Sequence, residues 1–508
     1  MKKNLLKTLA VISILNVFSY VSAKEYLKND LTTLFTNNEA IIYELNMRTF
    51  NANDKNGNGI IEFELGETSG NFLNAIERLD ELQELGINAI HLMPINPIGK
   101  LKAIGTVGSV YAMNDIHSIE PHLLDKNSKL SAIEQAKKFV DECHKRNIRV
   151  FADIPACGSY EMTQLRPELF LKDEKGEFIV PADWSDVRLF KVRNEDGKIN
   201  QQLIDEHKKY VDMLMEIGID GIRADVATIK PRDFWKPVIN YAKSKDPEFM
   251  FLAEACEAWA DPPSEHVEFT NYKKLLKSGF DGYYGSCLDF LNIKDAKKFK
   301  ELFSYVSKKR HGKKKAIIGC FGTHDTKSPY LTSENYAQAI MYMNATLPVN
   351  PYYLDGFATG DTYKYPYNGK KAKKTYTDSD VYYAHDGQID IFNFSRKPGG
   401  NNKKMEKLLK ETIKLRKDLG KIATHGKMKM LKTSNDNVIA YERSYKGEGI
   451  IVAVNIDQKN KSFAYVEVNP DNLYKIKILT DEGEIDTTRG KIVVNLPAGK
   501  AAVLRYKL

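Results

Sequence analysis

The sequence is poor in cysteine and, beyond its first 23 residues, in long apolar runs. Its five cysteines among 508 residues are odd in number and widely spaced, with no Cys-x-x-Cys pair. This pattern excludes a disulfide scaffold and disfavours a cysteine metal cluster, so we expect mostly free, buried thiols. No later segment is long enough to span a bilayer, and no glycine-rich phosphate loop follows a predicted strand. A nucleotide-binding protein is therefore disfavoured.

Charge of neither sign is concentrated in one block. The 75 Lys and Arg residues against 67 Asp and Glu residues give a net charge of +8, and the lysines are scattered in short runs such as 308–315. This indicates a solvated, lysine-rich surface and no nucleic-acid partner. The length and the ordinary hydrophobic content suit one large domain plus a smaller one, while the oligomeric state is left open.

The first 23 residues have the layout of a secretory signal peptide. A lysine pair precedes an apolar stretch, and Val21-Ser22-Ala23 matches a small-residue cleavage site. We therefore predict an exported protein, periplasmic or extracellular, that begins near Lys24 and has no stable membrane insertion. An uncleaved anchor helix is the alternative, although the stretch is short for a membrane span.

Apolar strands alternate with helical patterns between residues 40 and 355. The eight candidate strands are 41–45, 89–94, 149–153, 221–225, 250–254, 282–284, 316–322 and 347–354. One intervening helix, 131–147, begins with Ser131 and Glu134, the spacing of a capping box. Eight strand–helix units predict an α/β fold, a (β/α)8 TIM barrel, with a doubly wound sheet as the alternative.

Two further segments interrupt or follow this alternation. Residues 154–199 are too many for a simple connection and contain their own turns, so we interpret them as an excursion after the third strand. Beyond residue 420 the pattern changes to short alternating strands separated by Gly, Asn and Asp turns. The sequence thus predicts a barrel domain over 24–420 and a C-terminal all-β sandwich domain over 421–508.

Charged residues stand at the carboxyl ends of the predicted strands. These are Asp153 after the third, Asp225 after the fourth, Glu254 after the fifth, and His324 and Asp325 after the seventh. A TIM barrel builds its reaction at this end. A single Asp or Glu at a strand end is more often a turn former or a helix cap, but four in register with one architecture favour a site.

Arg223 and Asp225 share one face of the fourth strand, because side chains alternate along a strand. Two opposite charges there are costly to bury unless they pair or line a cavity. Paired carboxyl groups suit glycosidic chemistry, in which a carboxylate attacks the sugar and a carboxylic acid protonates the leaving oxygen. Arg223 would keep Asp225 ionised, and the apolar flanks of Glu254 would raise its pKa.

The motifs resemble those of glycoside hydrolase family 13, the α-amylase family. "GIRADVA" (221–227), "AEACE" (253–257) and "GTHDT" (322–326) are similar to its three carboxylate motifs. "GINAIHLMPINPIG" (86–99) and "SVYAMNDIHSIEPHL" (109–123) resemble its second-strand region and the following loop. The resemblance spans most of residues 40–360, and the C-terminal sandwich matches the usual C-terminal domain of the family.

The resemblance implies a retaining glycosidase that hydrolyses α-glucosidic bonds of α-glucans or maltooligosaccharides, without an organic cofactor. It implies that Asp225 is the nucleophile, that Glu254 is the general acid and then the base, and that Asp325 stabilises the transition state. An α-glucan transglycosylase is one alternative. A catalytically weak carbohydrate-binding protein on the same scaffold is another.

Four further residues take supporting roles by the same resemblance. Tyr111 would stack on the sugar and His324 would contact it, while Arg223 would orient the nucleophile and Asp153 would support the site through Arg223. Aromatic rings stack on sugar faces, so we also expect sugar contacts from Tyr352 and Tyr283 near the predicted strand ends.

Some positions depart from the family pattern. Cys157 and Gly158 stand where the resemblance leads us to expect an Asn-His pair, and Ile229 replaces a His four residues after the nucleophile. The Asn and the second His serve the calcium site of typical α-amylases, so we expect that site to be missing. Thr228, at a position often occupied by Lys, argues against a standard starch endo-amylase.

A different calcium site is predicted in "NDKNGNGIIEFE" (53–64). Oxygen ligands alternate there, and glycines allow the tight turn that Ca²⁺ loops need. The candidate ligands are Asp54, Asn56, Asn58, the Ile60 carbonyl and Glu62. The stretch resembles the short metal loop of oligo-1,6-glucosidase relatives, and the site would be structural. The alternative is an Asn/Gly turn without a metal.

Overall fold

The computed structural model describes residues 27–57, 61–103, 108–181, 184–255, 265–285, 293, 295–308, 315–326, 328–362, 399–480, 482–488 and 490–508. The predicted signal peptide lies outside these residues, as do Asn58, Ile60, Cys256 and Cys287, and the side chain of Tyr283 is likewise not described.

Eight parallel strands close into a barrel. The strands of this part of the chain are β1 (Ile42–Leu45), β2 (Ala89–Leu92), β3 (Arg149–Ile154), β4 (Gly158–Ser159), β5 (Val187–Arg188), β6 (Gly221–Ala224), β7 (Met250–Glu254), β8 (Gly282–Tyr284), β9 (Ala316–Gly319) and β10 (Asn350–Leu354). The ring runs β1-β2-β3-β6-β7-β8-β9-β10 and returns to β1, while β4 and β5 form a separate antiparallel pair. The predicted TIM barrel is confirmed, and the doubly wound sheet is excluded.

Helices alternate with the strands around this barrel. They are α1 (Leu31–Thr36), α2 (Met47–Phe50), α3 (Phe72–Ala75), α4 (Leu79–Leu85), α5 (Ala132–Lys145), α6 (Tyr160–Leu165), α7 (Gln201–Ile217), α8 (Arg232–Lys245), α9 (Tyr272–Leu276), α10 (Ala296–Lys308), α11 (Glu334–Thr346), α12 (Lys403–Leu419) and α13 (Lys421–His425). The predicted capping box begins α5, where the Ser131 and Glu134 side chains each accept from the backbone N–H of the other residue. This fixes the start of the helix that lies between β2 and β3.

The barrel interior changes character along its axis. At the amino end, Ile42, Phe151 and Leu252 belong to an apolar cluster that α1 closes, with Phe35 packed edge-to-face on Phe151 at 5.5 Å. Two residues later on the strands stand buried polar and charged side chains, namely Glu44, His91, Asp153, Arg223 and Glu254. Because residues i and i+2 share a face, each strand contributes to both regions.

The segment between β3 and α7 packs on the carboxyl end of the barrel. It contains the β4–β5 pair and α6. Ile179, Val187 and Leu189 from this segment share one apolar cluster with Met93 and Ile229, which follow barrel strands. The excursion is therefore fastened to the barrel by its own small core.

The C-terminal part is built from antiparallel strands. These are β11 (Lys427–Met430), β12 (Val438–Tyr445), β13 (Glu448–Asn455), β14 (Ser462–Glu467), β15 (Lys477–Ile478), β16 (Glu484–Thr488), β17 (Lys491–Leu496) and β18 (Ala501–Lys507). They form a five-stranded sheet, β11-β12-β13-β18-β15, and a three-stranded sheet, β14-β17-β16. Ile451 and Leu504 from the first sheet meet Val466 and Val494 from the second in one core, which confirms the predicted all-β sandwich.

The other face of the five-stranded sheet packs on the barrel helices. The Tyr441 hydroxyl lies 2.5 Å from the Thr346 hydroxyl at the end of α11, and the Arg443 guanidinium donates to the Thr346 carbonyl at 2.7 Å. Cys143, Cys157 and Cys320 are free and buried, as expected. Within the described ranges, no helix combines the length and the apolar character needed to cross a membrane.

Candidate active site

The Arg223 guanidinium lies at the centre of four carboxyl groups. Its Nη1 is 3.0 Å from Asp153 Oδ2 and 3.1 Å from Asp225 Oδ1, and its Nη2 is 2.9 Å from Glu254 Oε1 and 4.0 Å from Asp325 Oδ2. Arg223 is completely buried. Burial of Arg223 and Asp225 is thus tolerated because Arg223 pairs with Asp225, directly after β6, and with carboxyl groups at the ends of adjacent strands.

The chain turns sharply after Asp225. The Asp225 N–H continues the pairing of β6 by donating to the Ile154 carbonyl at 3.1 Å, and its Oδ2 accepts from the Ala156 N–H at 2.9 Å. Val226 then adopts a left-handed backbone with φ of 34°, which is unusual for a β-branched residue. In this conformation the Val226 N–H donates to Glu254 Oε2 at 2.7 Å. The strained turn therefore links the two candidate catalytic carboxyl groups.

Glu254 keeps its proton at neutral pH. Burial raises the pKa of Asp225, and Arg223 opposes this shift without reversing it. Burial, together with the charges of Asp225 and Asp325, raises the pKa of Glu254 to about 8 despite the opposing effect of Arg223. Glu254 is therefore protonated at neutral pH and is suited to act as an acid.

Tyr111, His324 and Asp325 form one side of the site. The Tyr111 hydroxyl donates to Asp153 Oδ2 at 2.5 Å and lies 2.9 Å from His324 Nε2, and the two rings stack with centroids 5.5 Å apart. Burial would lower the pKa of His324, but the carboxylates of Asp325 and Glu44 outweigh it and raise this pKa to about 9. His324 is therefore a cation at neutral pH, and its Nε2 lies 3.2 Å from Asp325 Oδ2.

The side chains differ in how open they are. Asp325 is 32% exposed and Asp225 is 14% exposed, whereas Asp153 and Arg223 are sealed. The structure thus brings together all seven predicted catalytic and substrate-binding residues, with Asp225, Asp325 and Tyr111 partly exposed and Asp153 buried.

Two buried residues of this network were missed by the sequence reasoning. His91 Nε2 lies 2.6 Å from Asp153 Oδ1, and Glu44 bonds to Nδ1 of His324. Both are polar residues inside apolar strands, the same signal that singled out Arg223. The expected sugar contact from Tyr352 is wrong, because Tyr352 is 2% exposed and its hydroxyl lies 2.9 Å from His91 Nδ1 inside the barrel.

The departures after β3 have a steric explanation. A Cβ atom at Gly158 would lie 2.5 Å from Cζ of Phe170, so no histidine fits there without moving that ring. Cys157 and Ile229 are both buried in the apolar cluster beneath the excursion. A thiol and an aliphatic side chain thus occupy the two positions that the resemblance assigns to the calcium site of typical α-amylases.

The predicted calcium loop lies away from these carboxylates along the chain. Asp54 Oδ1 accepts from the Gly57 N–H at 2.8 Å, and the Asn56 amide donates to Glu62 Oε2 at 2.6 Å. Glu67, which the sequence reasoning missed, is buried and accepts from the backbone N–H groups of Asn56 and Glu62. The described oxygen donors suit calcium chemically, although no cluster of three or more His, Cys, Asp or Glu residues is arranged for a metal in the described part of the chain.

The chain is similar to proteins that act on α-glucans. It is 27% identical over 209 residues to a cyclomaltodextrinase from a Bacillus species, covering 37% of this chain and 34% of that protein. It is 21% identical over 406 residues to a cyclomaltodextrinase from Thermoanaerobacter pseudethanolicus, covering 74% of this chain and 63% of that protein. These similarities support glycoside hydrolase family 13, the α-amylase family.

A comparison with solved structures agrees with the barrel fold. A solved α-amylase from Lactobacillus plantarum superposes with a TM-score of 0.66 at 18% identity, covering 93% of this chain and 100% of that chain. No family model matches the sequence. The chain spans less than two thirds of the length of the curated relatives that it matches.

Proposed function

We propose that this protein is a retaining glycosidase that hydrolyses α-glucosidic bonds of α-glucans or maltooligosaccharides. The observation that supports this most directly is a pair of carboxyl groups, Asp225 and Glu254, that contact one guanidinium, with Glu254 protonated at neutral pH. One acid and one base at the same point are what glycoside cleavage requires.

Asp225 and Glu254 act together in the first step. Asp225 attacks the anomeric carbon, and a C–O bond to the enzyme forms as the glycosidic C–O bond breaks. Glu254 delivers its proton to the leaving oxygen, which departs as the hydroxyl of the shortened glucan. Arg223 holds one oxygen of Asp225 and the Ala156 N–H holds the other, so the nucleophile is oriented before the sugar arrives.

In the second step, Glu254 acts as the base. It is ionised after the first step, takes a proton from water, and the resulting hydroxide oxygen bonds to the anomeric carbon while the bond to Asp225 breaks. Asp325 and cationic His324 stand beside the pair and are suited to bind sugar hydroxyls, because one is a carboxylate acceptor and the other a charged donor. The anomeric configuration is retained because the carbon is attacked twice.

Product analysis tests this proposal. The mature protein would be incubated with maltose, maltooligosaccharides, cyclomaltodextrin, isomaltose, glycogen, trehalose and sucrose, beside the Glu254→Gln variant. Glu248→Gln is the matched control, because it removes an exposed carboxylate just before the same strand. We expect wild type and control to release sugars of retained α-configuration, and Glu254→Gln to be slower by about 10³-fold or more.

Other outcomes would replace the proposal. Products longer than the substrate would identify a transglycosylase. Saturable binding of a maltooligosaccharide without turnover, unchanged by Glu254→Gln, would identify a carbohydrate-binding protein. Equal turnover by wild type and Glu254→Gln would remove Glu254 from the chemistry.

We propose further that the loop containing Asp54, Asn56 and Glu62 holds a structural calcium ion, which would tie the chain after α2 to the turn near Glu67. The oxygen donors of these side chains support it. Calcium should raise the melting temperature of wild type, and Asp54→Ala should abolish that rise while leaving the temperature in chelator unchanged. An equal response in both proteins would leave the loop as an ordinary Asn/Gly turn.

Export is proposed from the N-terminal sequence alone. The apolar stretch and Val21-Ser22-Ala23 support it. N-terminal sequencing of the secreted protein should begin at Lys24, whereas retention of Met1 would contradict it.

A further inference from the structure

Lys230 is a buried cation that the proposed reaction does not use. It follows the short turn after β6, its side chain is 1% exposed, and its Nζ donates to the Ala156 carbonyl at 2.8 Å. Within the residues that the structure describes, no carboxylate lies within ion-pair distance of it. An ammonium buried in this way needs compensation from other groups.

Three aromatic rings provide part of that compensation. The Lys230 Nζ lies 5.7 Å from the ring centre of Phe190, 6.0 Å from that of Phe234 and 5.7 Å from that of Trp235. Phe190 belongs to the excursion, and the other two begin α8. The ammonium is therefore held by cation–π contacts, which strengthen when the cation is out of water.

Lys230 keeps its charge at neutral pH although burial disfavours it. Burial lowers the pKa of Lys230 to about 8, opposed by Cys157 and Asp225. Lys230 lines a cavity of about 120 Å³, together with Arg193, His266 and Glu268. At pH 7 Lys230 is thus a protonated donor.

The residue that Lys230 binds also contacts the nucleophile. The Ala156 carbonyl accepts from Lys230, and the Ala156 N–H donates to Asp225 Oδ2 at 2.9 Å. Ala156 itself directly precedes Cys157 and Gly158, where the family pattern is lost. The hydrogen bond from Lys230 and the hydrogen bond to Asp225 therefore meet at the backbone of one residue.

We infer that Lys230 is a positioning residue that fixes the orientation of the Asp225 carboxylate through the backbone of Ala156. The inference rests on the proposed glycosidase function. Lys230, which follows the turn after β6, would hold the backbone that follows β3 against the nucleophile. Removing the ammonium would let residue 156 shift, and a displacement of about 1 Å at a reacting group lowers a rate by about 100-fold.

Kinetics of two variants test this inference. Lys230→Met keeps the length of the side chain but removes the donor, and Lys230→Gln keeps a donor without the charge. Ile229→Val, one residue earlier in the same turn and also buried, is the matched packing control. The substrates are a maltooligosaccharide and α-glucosyl fluoride, whose leaving group needs no proton from Glu254.

We expect Lys230→Met to lower kcat/KM by about 10- to 100-fold and by the same factor on both substrates, because attack by Asp225 is common to them. The inhibition constant of maltose should stay unchanged. Lys230→Gln should recover part of the loss, and Ile229→Val should match wild type. Glu254→Gln should differ from Lys230→Met by recovering on the fluoride.

Several results would overturn the inference. Wild-type kcat/KM in folded Lys230→Met would do so, as would a loss confined to maltose binding or a loss of equal size in Ile229→Val. If Lys230→Met does not fold, a lower kcat/KM in folded Lys230→Gln than in wild type, by the same factor on both substrates, supports the inference, and full activity in that variant overturns it. An inactive wild type would instead contradict the proposed function.

Discussion

Ile42, Phe151 and Leu252 lie at the amino end of the barrel interior, and the residues two positions later on the same strands are Glu44, Asp153 and Glu254. The first group packs by shape alone, with α1 closing the end. The second group needs charged partners, which come from neighbouring strands and the loops after them. The comparison indicates that one region holds the barrel together and the other, at a cost in desolvation, does the chemistry.

Removing the central cation should give the largest effect. Arg223→Met leaves buried carboxylates unpaired, so we expect it to lower the free energy of unfolding by about 3–5 kcal/mol and to abolish turnover. The lost stability should return on acidification, because protonation removes the unpaired charges. Urea unfolding at pH 5 and pH 8 measures this.

The exposed ion pairs of Arg193 provide the control for that prediction. Arg193 is 34% exposed where it meets Glu268 and Asp233, so Arg193→Met should change stability by less than about 1 kcal/mol. Equal losses in the two arginine variants would show that the central guanidinium is no different from a surface one.

A matched change in the apolar region should separate stability from activity. Leu252→Ala removes buried methyl groups two residues before Glu254, and we expect a loss of about 2–5 kcal/mol in the free energy of unfolding. Its kcat at a temperature where it is fully folded should stay within about threefold of wild type. A much larger fall in kcat would mean that the two regions are not independent.

Glu254→Gln should show the reverse, becoming inactive but more stable. The pKa of Glu254 is raised to about 8 in the folded protein. Its contribution to the free energy of unfolding is therefore fully present below the pKa of the unfolded chain and is lost as the pH rises through the folded pKa. The variant lacks this loss. We therefore expect a gain of about 1 kcal/mol or more at pH 8 that vanishes near pH 4. A gain that is the same at both pH values would contradict the assigned burial effect.

The smallest expected effect concerns the turn between the two carboxyl groups. Because Val226 has a φ of 34°, glycine should relieve strain there, and Val226→Gly should change stability by less than about 1 kcal/mol. Val226→Ala removes similar contacts but keeps the strain, so it should be the less stable of the two. The opposite order, which is usual elsewhere in a chain, would argue that the turn is unstrained.

The strands and the charged residues at their ends could be predicted because both are local signals. A run of apolar residues with an acidic residue at its end marks each of β3, β6 and β7, and period-two alternation places Arg223 beside Asp225. Glu44 and His91 were missed because their partners are distant in sequence, His324 in the loop after β9 and Asp153 on β3. The neighbouring sequence does not indicate which buried charged residue will have a partner in the folded protein.

Other features depend on packing that a single sequence does not reveal. Tyr352 has the appearance of an exposed strand-end aromatic, yet the closure of the barrel buries it against His91. Gly158 gives no sign that Phe170, twelve residues later, fills the space beside it. The role inferred for Lys230 depends on Ala156, which lies in the turn after β3 and has no distinctive side chain.

The helix that closes the amino end of the barrel has a consequence for the order of assembly during synthesis. The Asn350 amide donates to the Phe35 carbonyl at 2.9 Å and its Oδ1 accepts from the Ala40 N–H at 3.0 Å, and β10 pairs with β1. α1 is made early, but the strand that receives it is made some 300 residues later. A nascent chain therefore cannot complete the packing of α1 until β10 has emerged. The ring should then close late and as a unit.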